Sequence, residues 1–212
     1  MPLLKKWTDK GGIYGIWHVT EDRDELLCAL NSSERCITEM QKLKAEVRRM
    51  EYVSVRVLLK ALTGKEFHIL HYPSGKPYLE EGEYNISISH TKGYVAIAVH
   101  PTAEVGIDIE YFSQRVEKVA SRFINKIEAG CVDKYTDQSY TNMLLLHWSA
   151  KETAFKLMNA SEIDFLEHFT INPFHYSQKG SFTLAESRTL CNHHYDVHYM
   201  VHPAFVCTWC LG

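Results

Sequence analysis

Residues 105–110, with the sequence VGIDIE, alternate apolar residues with small or acidic ones. Successive side chains of a β-strand point to opposite faces, so this alternation predicts a strand with its apolar residues on the core side. Gly106, Asp108 and Glu110 would then share the other face, with the two carboxylates roughly 7 Å apart. They would repel each other unless a cation, a basic group or water lay between them. Gly106 would let a ligand approach the backbone, although an exposed edge strand would show the same pattern.

A helix predicted over residues 142–158 carries a third carboxylate. Glu152 follows Trp148 by four residues, which places it inside the apolar stripe of that helix. A carboxylate there is costly unless it is paired or bound to a metal. Lys156 follows one turn later and Lys151 flanks the stripe. A surface Glu–Lys pair would explain Lys156 but not the apolar position of Glu152, so a divalent cation that holds a phosphorylated substrate is the sharper hypothesis.

Composition limits the class of protein. Of 212 residues, 45% are hydrophobic and 23% charged, which suits a globular chain with a core, and the net charge of −3 argues against a nucleic-acid partner. No stretch approaches the ~20 apolar residues of a membrane span, and the apolar run at the start is too short for a signal peptide. We therefore expect a cytoplasmic monomer without a membrane partner. Patterns typical of Walker NTPases, Rossmann dehydrogenases, zincins and serine hydrolases are absent.

The order of predicted elements indicates an α+β fold with two halves, residues 1–102 and 103–212. Thr20 is the predicted cap of a first helix, and Gly64 and Gly130 are the predicted ends of helices over 33–62 and 116–129. The predicted strands lie at 13–19, 85–89, 94–99, 105–110, 169–172, 181–185, 195–201 and 205–210.

Polar residues of the first half could hold a ligand, although each has a commoner structural interpretation. Ser89 and His90 stand at a strand end, where side chains are well placed to bind, but such a histidine is more often structural. Lys76 lies in the turn at 72–77 and is a weak phosphate signal on its own. Arg48 and Arg49 fall on a helix whose basic edge is more often simply solvated.

Five short motifs follow one another along residues 75–156. They are GKP at 75–77, NISISHT at 85–91, VGIDIE at 105–110, Arg122-Phe123 with Glu128, and WSAKE at 148–152 with Lys156. In this order and spacing they resemble the 4′-phosphopantetheinyl transferases, specifically the larger kind with two similar halves in one chain. The resemblance implies two packed α+β halves with the active site at their interface.

The resemblance also implies an activity and its site residues. Phosphopantetheine would pass from coenzyme A to a serine of an apo acyl or peptidyl carrier protein, releasing adenosine 3′,5′-bisphosphate. Asp108, Glu110 and Glu152 would bind Mg²⁺, a cation that prefers oxygen ligands, and Lys156 would contact the phosphates. The general base would be Glu152 or a metal-bound water. The predicted coenzyme contacts are Arg48 or Arg49, Lys76, Ser89, His90 and Lys151.

The chain departs from the family in one place. The family often has basic residues before the long helix of the first half, whereas residues 32–35 (SSER) offer only Arg35.

Two other functions stay open. A non-catalytic module that binds coenzyme A or a carrier protein is one alternative. A metal-dependent phosphohydrolase acting on a nucleotide or coenzyme is the other.

Overall fold

The computed structural model describes residues 3–31, 34–158, 162–190 and 192–212. The chain mixes helices with antiparallel sheets, which confirms the α+β class. It divides into two compact units, Met1–Ala103 and Glu104–Gly212. None of the helices in the described ranges combines the length and apolar character that crossing a bilayer requires.

The first unit sets one long helix against a four-stranded antiparallel sheet with the order β1-β2-β6-β5, beside a small β3–β4 hairpin. The helix α3 buries Val53, Val57 and Leu58 in a core shared with Ile97 of the sheet. The elements of this unit are β1 (Leu3–Asp9), β2 (Gly12–His18), α1 (Arg23–Cys28), α2 (Glu34–Gln41), α3 (Glu46–Thr63), β3 (Ile69–His71), β4 (Pro77–Leu79), β5 (Asn85–Thr91) and β6 (Tyr94–His100).

The predicted helix boundaries of the first unit were partly wrong. Gly64 does end a helix, in the left-handed conformation (φ 79°) that glycine adopts most readily. The single helix predicted over 33–62 is instead two helices, α2 and α3. Asp22 rather than Thr20 caps α1, because its side chain accepts from the Glu25 N–H in a reciprocal capping box.

The second unit builds a five-stranded antiparallel sheet with the order β7-β11-β10-β9-β8. Its longest helix, α5, packs on β7 and β11, and the core between helix and sheet includes Leu144, Ala154 and Val206. The elements of this unit are β7 (Val105–Tyr111), a 3-10 helix (Gln114–Arg122), α4 (Lys126–Val132), α5 (Asp137–Leu157), β8 (Phe169–Ile171), β9 (Lys179–Glu186), β10 (His194–His202) and β11 (Phe205–Leu211).

The last four strands confirm the prediction to within two residues at each end, but the helices of the second unit required correction. The helix predicted over 116–129 is a 3-10 helix followed by α4, and Gly130 lies inside α4 rather than ending it. Asn125 starts α4 through a capping box with Glu128. α5 begins at Asp137, five residues before the predicted start.

Candidate active site

The strand β7 is at the edge of its sheet but is buried over Val105–Ile109, so a solvent-exposed strand is excluded. Asp108 is 4% exposed, and Glu110 is partly buried. Gly106 serves a purpose other than the predicted one. A Cβ atom at this position would lie 2.6 Å from the backbone oxygen of Thr153, so the missing side chain admits α5 rather than a ligand.

Polar contacts hold α5 on the sheet. The hydroxyl of Thr208, on β11, lies 2.9 Å from the Ser149 hydroxyl and 2.6 Å from that of Thr153. Ser149 and Thr153 are one helical turn apart, so both reach the same strand position. Because all three hydroxyls are buried, each needs such a partner. This arrangement determines which part of α5 stands above β7.

The carboxylates of β7 face one row of side chains on α5. Trp148, Glu152 and Lys156 are spaced four residues apart and lie on the same side of the helix. The Trp148 indole donates to Glu110 Oε1 at 2.8 Å, and Lys156 Nζ donates to Asp108 Oδ1 at 2.8 Å. Glu152 stands between these two contacts along the row. The sequence-predicted residues Asp108, Glu110, Glu152 and Lys156 are therefore brought together.

Burial and mutual repulsion raise the proton affinity of this cluster. Burial, then the charge of Asp108, raises the pKa of Glu110 to about 7, although the Trp148 hydrogen bond opposes the shift. Burial, then the charge of Asp108, also raises the pKa of Glu152, with Lys156 acting in the opposite direction. Lys156 acts on both Asp108 and Glu152, and the repulsion among the three carboxylates favours a bound proton or cation.

This donor set fits a hard divalent cation. Carboxylate oxygens are the ligands that Mg²⁺ prefers, and a 2+ charge would offset the repulsion among Asp108, Glu110 and Glu152. Among the described residues, no group of three or more His, Cys, Asp or Glu side chains is already arranged to hold a metal ion. The three carboxylates are thus candidate ligands whose side chains would still adjust around an ion.

Lys151 lies elsewhere, which corrects its expected role in holding phosphate. Its side chain is fully buried, and Nζ donates to Glu128 Oε2 at 2.8 Å, to the Phe165 oxygen at 2.9 Å and to the Phe123 oxygen at 2.5 Å. An ammonium group has three donors, and these acceptors use all of them. Glu128 in turn accepts from the backbone of Asn125 and Ile171. Lys151 is therefore a structural residue that anchors α5.

Two of the predicted coenzyme contacts meet within the first unit. Glu51 bridges Arg48 at 2.8 Å and His90 at 3.4 Å, which places all three side chains in one cluster. Arg49 turns toward the start of α3, where Nε donates to the Leu43 oxygen at 2.8 Å. The contacts distinguish the two arginines, since only Arg48 shares a partner with His90.

The other expected contacts of the first unit stand on a strand, a turn and a helix. Ser89 is buried on β5, next to the exposed His90. Lys76 is partly buried at the end of the turn before β4, and its backbone oxygen accepts from the Tyr72 N–H. Arg35, on α2, pairs with Glu80 at 2.9 Å. Residues 32 and 33 lie outside the described residues.

Sequence reasoning missed three residues that shape these clusters. Trp148 was interpreted as apolar packing, although its N–H makes it a donor to Glu110. Its position four residues before Glu152 was a usable signal. Glu51 and Thr208 carried no such signal, because the contacts that matter join residues 39 and 59 positions apart in the chain.

Comparison with known families now identifies the second unit. The model of the 4′-phosphopantetheinyl transferase superfamily matches residues 104–210, a range that contains Asp108, Glu110, Glu152 and Lys156. The chain belongs to this superfamily. A curated relative, the 4′-phosphopantetheinyl transferase HetI of Nostoc sp., is 24% identical over 159 residues. The matched part spans 66% of this chain and 66% of that relative, just under two thirds of its length.

Proposed function

We propose that the chain transfers the 4′-phosphopantetheine group from coenzyme A to a serine hydroxyl of an apo acyl or peptidyl carrier protein. Adenosine 3′,5′-bisphosphate is the second product. The observation that carries the proposal is the cluster of Asp108, Glu110, Glu152 and Lys156, which lies inside the range matched by the family model. An acidic cluster beside the Lys156 ammonium group suits a cation-assisted phosphoryl transfer.

In this reaction the serine oxygen forms a new bond to the phosphorus atom next to the pantetheine, and the bond from that phosphorus to the bridging oxygen breaks. Mg²⁺ held by Asp108, Glu110 and Glu152 would offset the negative charge on the pyrophosphate oxygens. Lys156 uses two of its three donors on Asp108 and on the Ile107 oxygen, so the third can meet a phosphate oxygen of the substrate.

The serine proton needs an acceptor, and Glu152 is the candidate. Its raised pKa makes it a better proton acceptor than an ordinary glutamate. The same carboxylate is a candidate metal ligand, and the two roles compete, since a carboxylate bound to a cation accepts a proton poorly. Replacement by glutamine removes both roles, whereas replacement by aspartate keeps an oxygen ligand and alters its reach.

For the coenzyme, we infer that Arg48 and His90 bind its 3′-phosphate, with Lys76 and Ser89 nearby. The Arg48–Glu51–His90 cluster supports this choice, because a phosphate could replace Glu51 as the partner of the Arg48 guanidinium and of the His90 ring. Arg49 is the weaker candidate of the two arginines, since its guanidinium is already engaged by Leu43 and Glu46.

The test incubates the full chain with coenzyme A, Mg²⁺ and a panel of apo carriers from fatty-acid, polyketide and non-ribosomal peptide synthesis. Mass spectrometry should show that a carrier gains one phosphopantetheine. Chelation of Mg²⁺ or the change Glu152→Gln should reduce the rate at least about a hundredfold, as expected for loss of a preorganised electrostatic group. Glu167→Gln, an exposed acid of the same unit, is the matched control and should leave the rate unchanged.

The same assay separates the two rival functions. A phosphohydrolase would release phosphate or cleave coenzyme A without any carrier. A binding module would retain coenzyme A or carrier but give no product with any member of the panel. Either result would overturn the proposed transfer.

A further inference from the structure

A cavity of about 430 Å³ lies wholly within the first unit, between α2, α3 and the β3 strand. Its apolar wall consists of Leu30, Phe67, Ile69 and Leu70. Polar side chains also line the cavity, and Arg56 is one of them. The volume falls within the usual range for small-molecule sites, and the mixture of an apolar wall with a few polar groups is typical of them.

Arg48, Lys76, Ser89 and His90 do not line this cavity, whereas Arg35 does. Most charged side chains in its wall already have an opposite charge beside them. These pairs are Arg35 with Glu80 at 2.9 Å, Glu39 with Lys42 at 2.6 Å and Glu66 with Lys60 at 2.8 Å. The His68 ring also has a partner, since its Nδ1 lies 2.8 Å from Glu81 Oε1.

Arg56 is the exception. In the part of the chain that the structure describes, its contacts are with Tyr52 of its own helix. The guanidinium lies over the Tyr52 ring at 3.3 Å from the ring centre, and Nη1 donates to the Tyr52 backbone oxygen at 3.0 Å. No described carboxylate lies within ion-pair distance of it, although Glu39 acts on it at longer range. A guanidinium has five N–H donors, and the one contact with the Tyr52 oxygen leaves others available to a ligand at the cavity wall that Arg56 lines.

The stacking on Tyr52 matters because it holds the planar guanidinium in one orientation. A fixed guanidinium presents two parallel N–H groups, which match the two oxygens of a carboxylate or phosphate. A partly buried charge without a nearby partner is unfavourable, and an anion bound in the cavity would relieve that cost. The charge and the shape of the polar wall therefore select an anionic group.

We propose that this cavity binds a small organic anion whose carboxylate or phosphate group meets Arg56 and whose apolar body lies along Leu30, Phe67 and Ile69. The group that meets the anion, Arg56, has no role in the proposed transfer reaction, and the paired Arg35 is the one expected coenzyme contact on this wall. An uncharged molecule of the same shape lacks the group that pairs with Arg56, and a small inorganic anion lacks the apolar body.

Calorimetric titration of the full chain tests the proposal with hexanoate, hexyl phosphate and the neutral control hexanol. At least one of the two anions should bind, and which of them binds more tightly identifies the preferred head group. Hexanol should bind at least about tenfold more weakly. Arg56→Met keeps an unbranched side chain without the charge and should weaken anion binding by roughly tenfold or more.

Arg23→Met is the matched control, because Arg23 pairs with Glu46 in the same unit and lies outside the cavity wall. It should leave the affinity for the anions unchanged. The proposal is overturned if neither anion binds, if Arg56→Met binds them as well as the unaltered chain does, or if coenzyme A displaces them competitively.

A second measurement uses the unaltered chain, so it remains informative even if Arg56→Met does not fold. Cys36 lines the same cavity, whereas Cys28 is exposed outside it. The bound anion should slow alkylation of Cys36 by iodoacetamide several-fold and leave Cys28 unaffected, as read by peptide mass spectrometry. Equal rates for Cys36 with and without the anion would contradict the proposed location.

Discussion

At the scale of single residues, Glu110 links the site to pH. Burial and the charge of Asp108 raise its pKa to about 7 in the folded chain, above the ordinary value of 4.5 for a glutamate. The folded state therefore holds a proton that the unfolded state has released, and stability falls as pH rises from about 4.5 to about 7. We expect this carboxyl alone to lower the free energy of unfolding across that interval by up to about 3 kcal/mol in the metal-free chain.

Urea unfolding at several pH values measures this effect. Glu110→Gln has no proton to lose and should show a flatter pH dependence than the unaltered chain over the same interval. Mg²⁺ should reduce the decline in the unaltered chain, because a bound cation favours the ionised carboxylates. Parallel curves for the two chains would show that Glu110 is not the group responsible.

The buried pair of Lys151 and Glu128 gives a second prediction for single residues. Lys151→Met leaves the Glu128 carboxylate buried without its cation, so we expect a loss of about 3–5 kcal/mol in the free energy of unfolding. The double change Lys151→Met and Glu128→Gln leaves no buried charge and should lose less than the single one. Lys126→Met, on the exposed side of α4, is the control and should be nearly neutral in the same urea titration.

At the scale of elements, the fit between α5 and β7 depends on Gly106. Gly106→Ala would place a methyl group 2.6 Å from the Thr153 backbone oxygen. The backbone cannot rotate away as a side chain could, so α5 must shift. We expect a loss of about 1–3 kcal/mol in stability and a marked fall in transfer rate, because Glu152 and Lys156 move with the helix.

Gly130→Ala is the matched control for that substitution. Gly130 lies inside α4 with open space where the methyl group would go. Alanine has the higher helix propensity, so this change should stabilise the chain by about 0.5–1 kcal/mol. Thermal unfolding should therefore show a loss of stability for Gly106→Ala and a gain for Gly130→Ala. In the transfer assay, the rate should fall for Gly106→Ala and stay unchanged for Gly130→Ala. Equal tolerance at both positions would contradict the proposed contact between α5 and β7.

Some secondary-structure elements could be predicted from the local sequence and others could not. The strands of the second unit were predictable because each alternates or carries a continuous apolar run. The break between α2 and α3 could not be predicted from the sequence, since residues 42–45 contain neither glycine nor proline. β1 was missed because Leu3–Asp9 is mostly exposed and shows no clear alternation.

At the scale of the whole molecule, a metal bound to the carboxylate cluster should stabilise one unit directly. Binding to the folded state alone adds about 2.7 kcal/mol at a hundredfold excess of ligand over its dissociation constant. We expect hydrogen exchange to slow on addition of Mg²⁺ within Glu104–Gly212, which holds all three candidate ligands. The change Asp108→Asn should abolish that protection, whereas Glu167→Gln should retain it.

The sequence by itself determined the α+β class, the strand at residues 105–110 and the identity of three carboxylates and one lysine, because alternation and helical spacing are local properties of the chain. Only the tertiary structure decided their partners. It set Trp148 against Glu110, buried Lys151 against Glu128, packed α5 against Gly106 and placed Arg48 beside the Glu51 carboxylate that also contacts His90. Lys151 and Glu152 are neighbours in the chain, yet helical rotation directs one into the core and the other toward the carboxylate cluster.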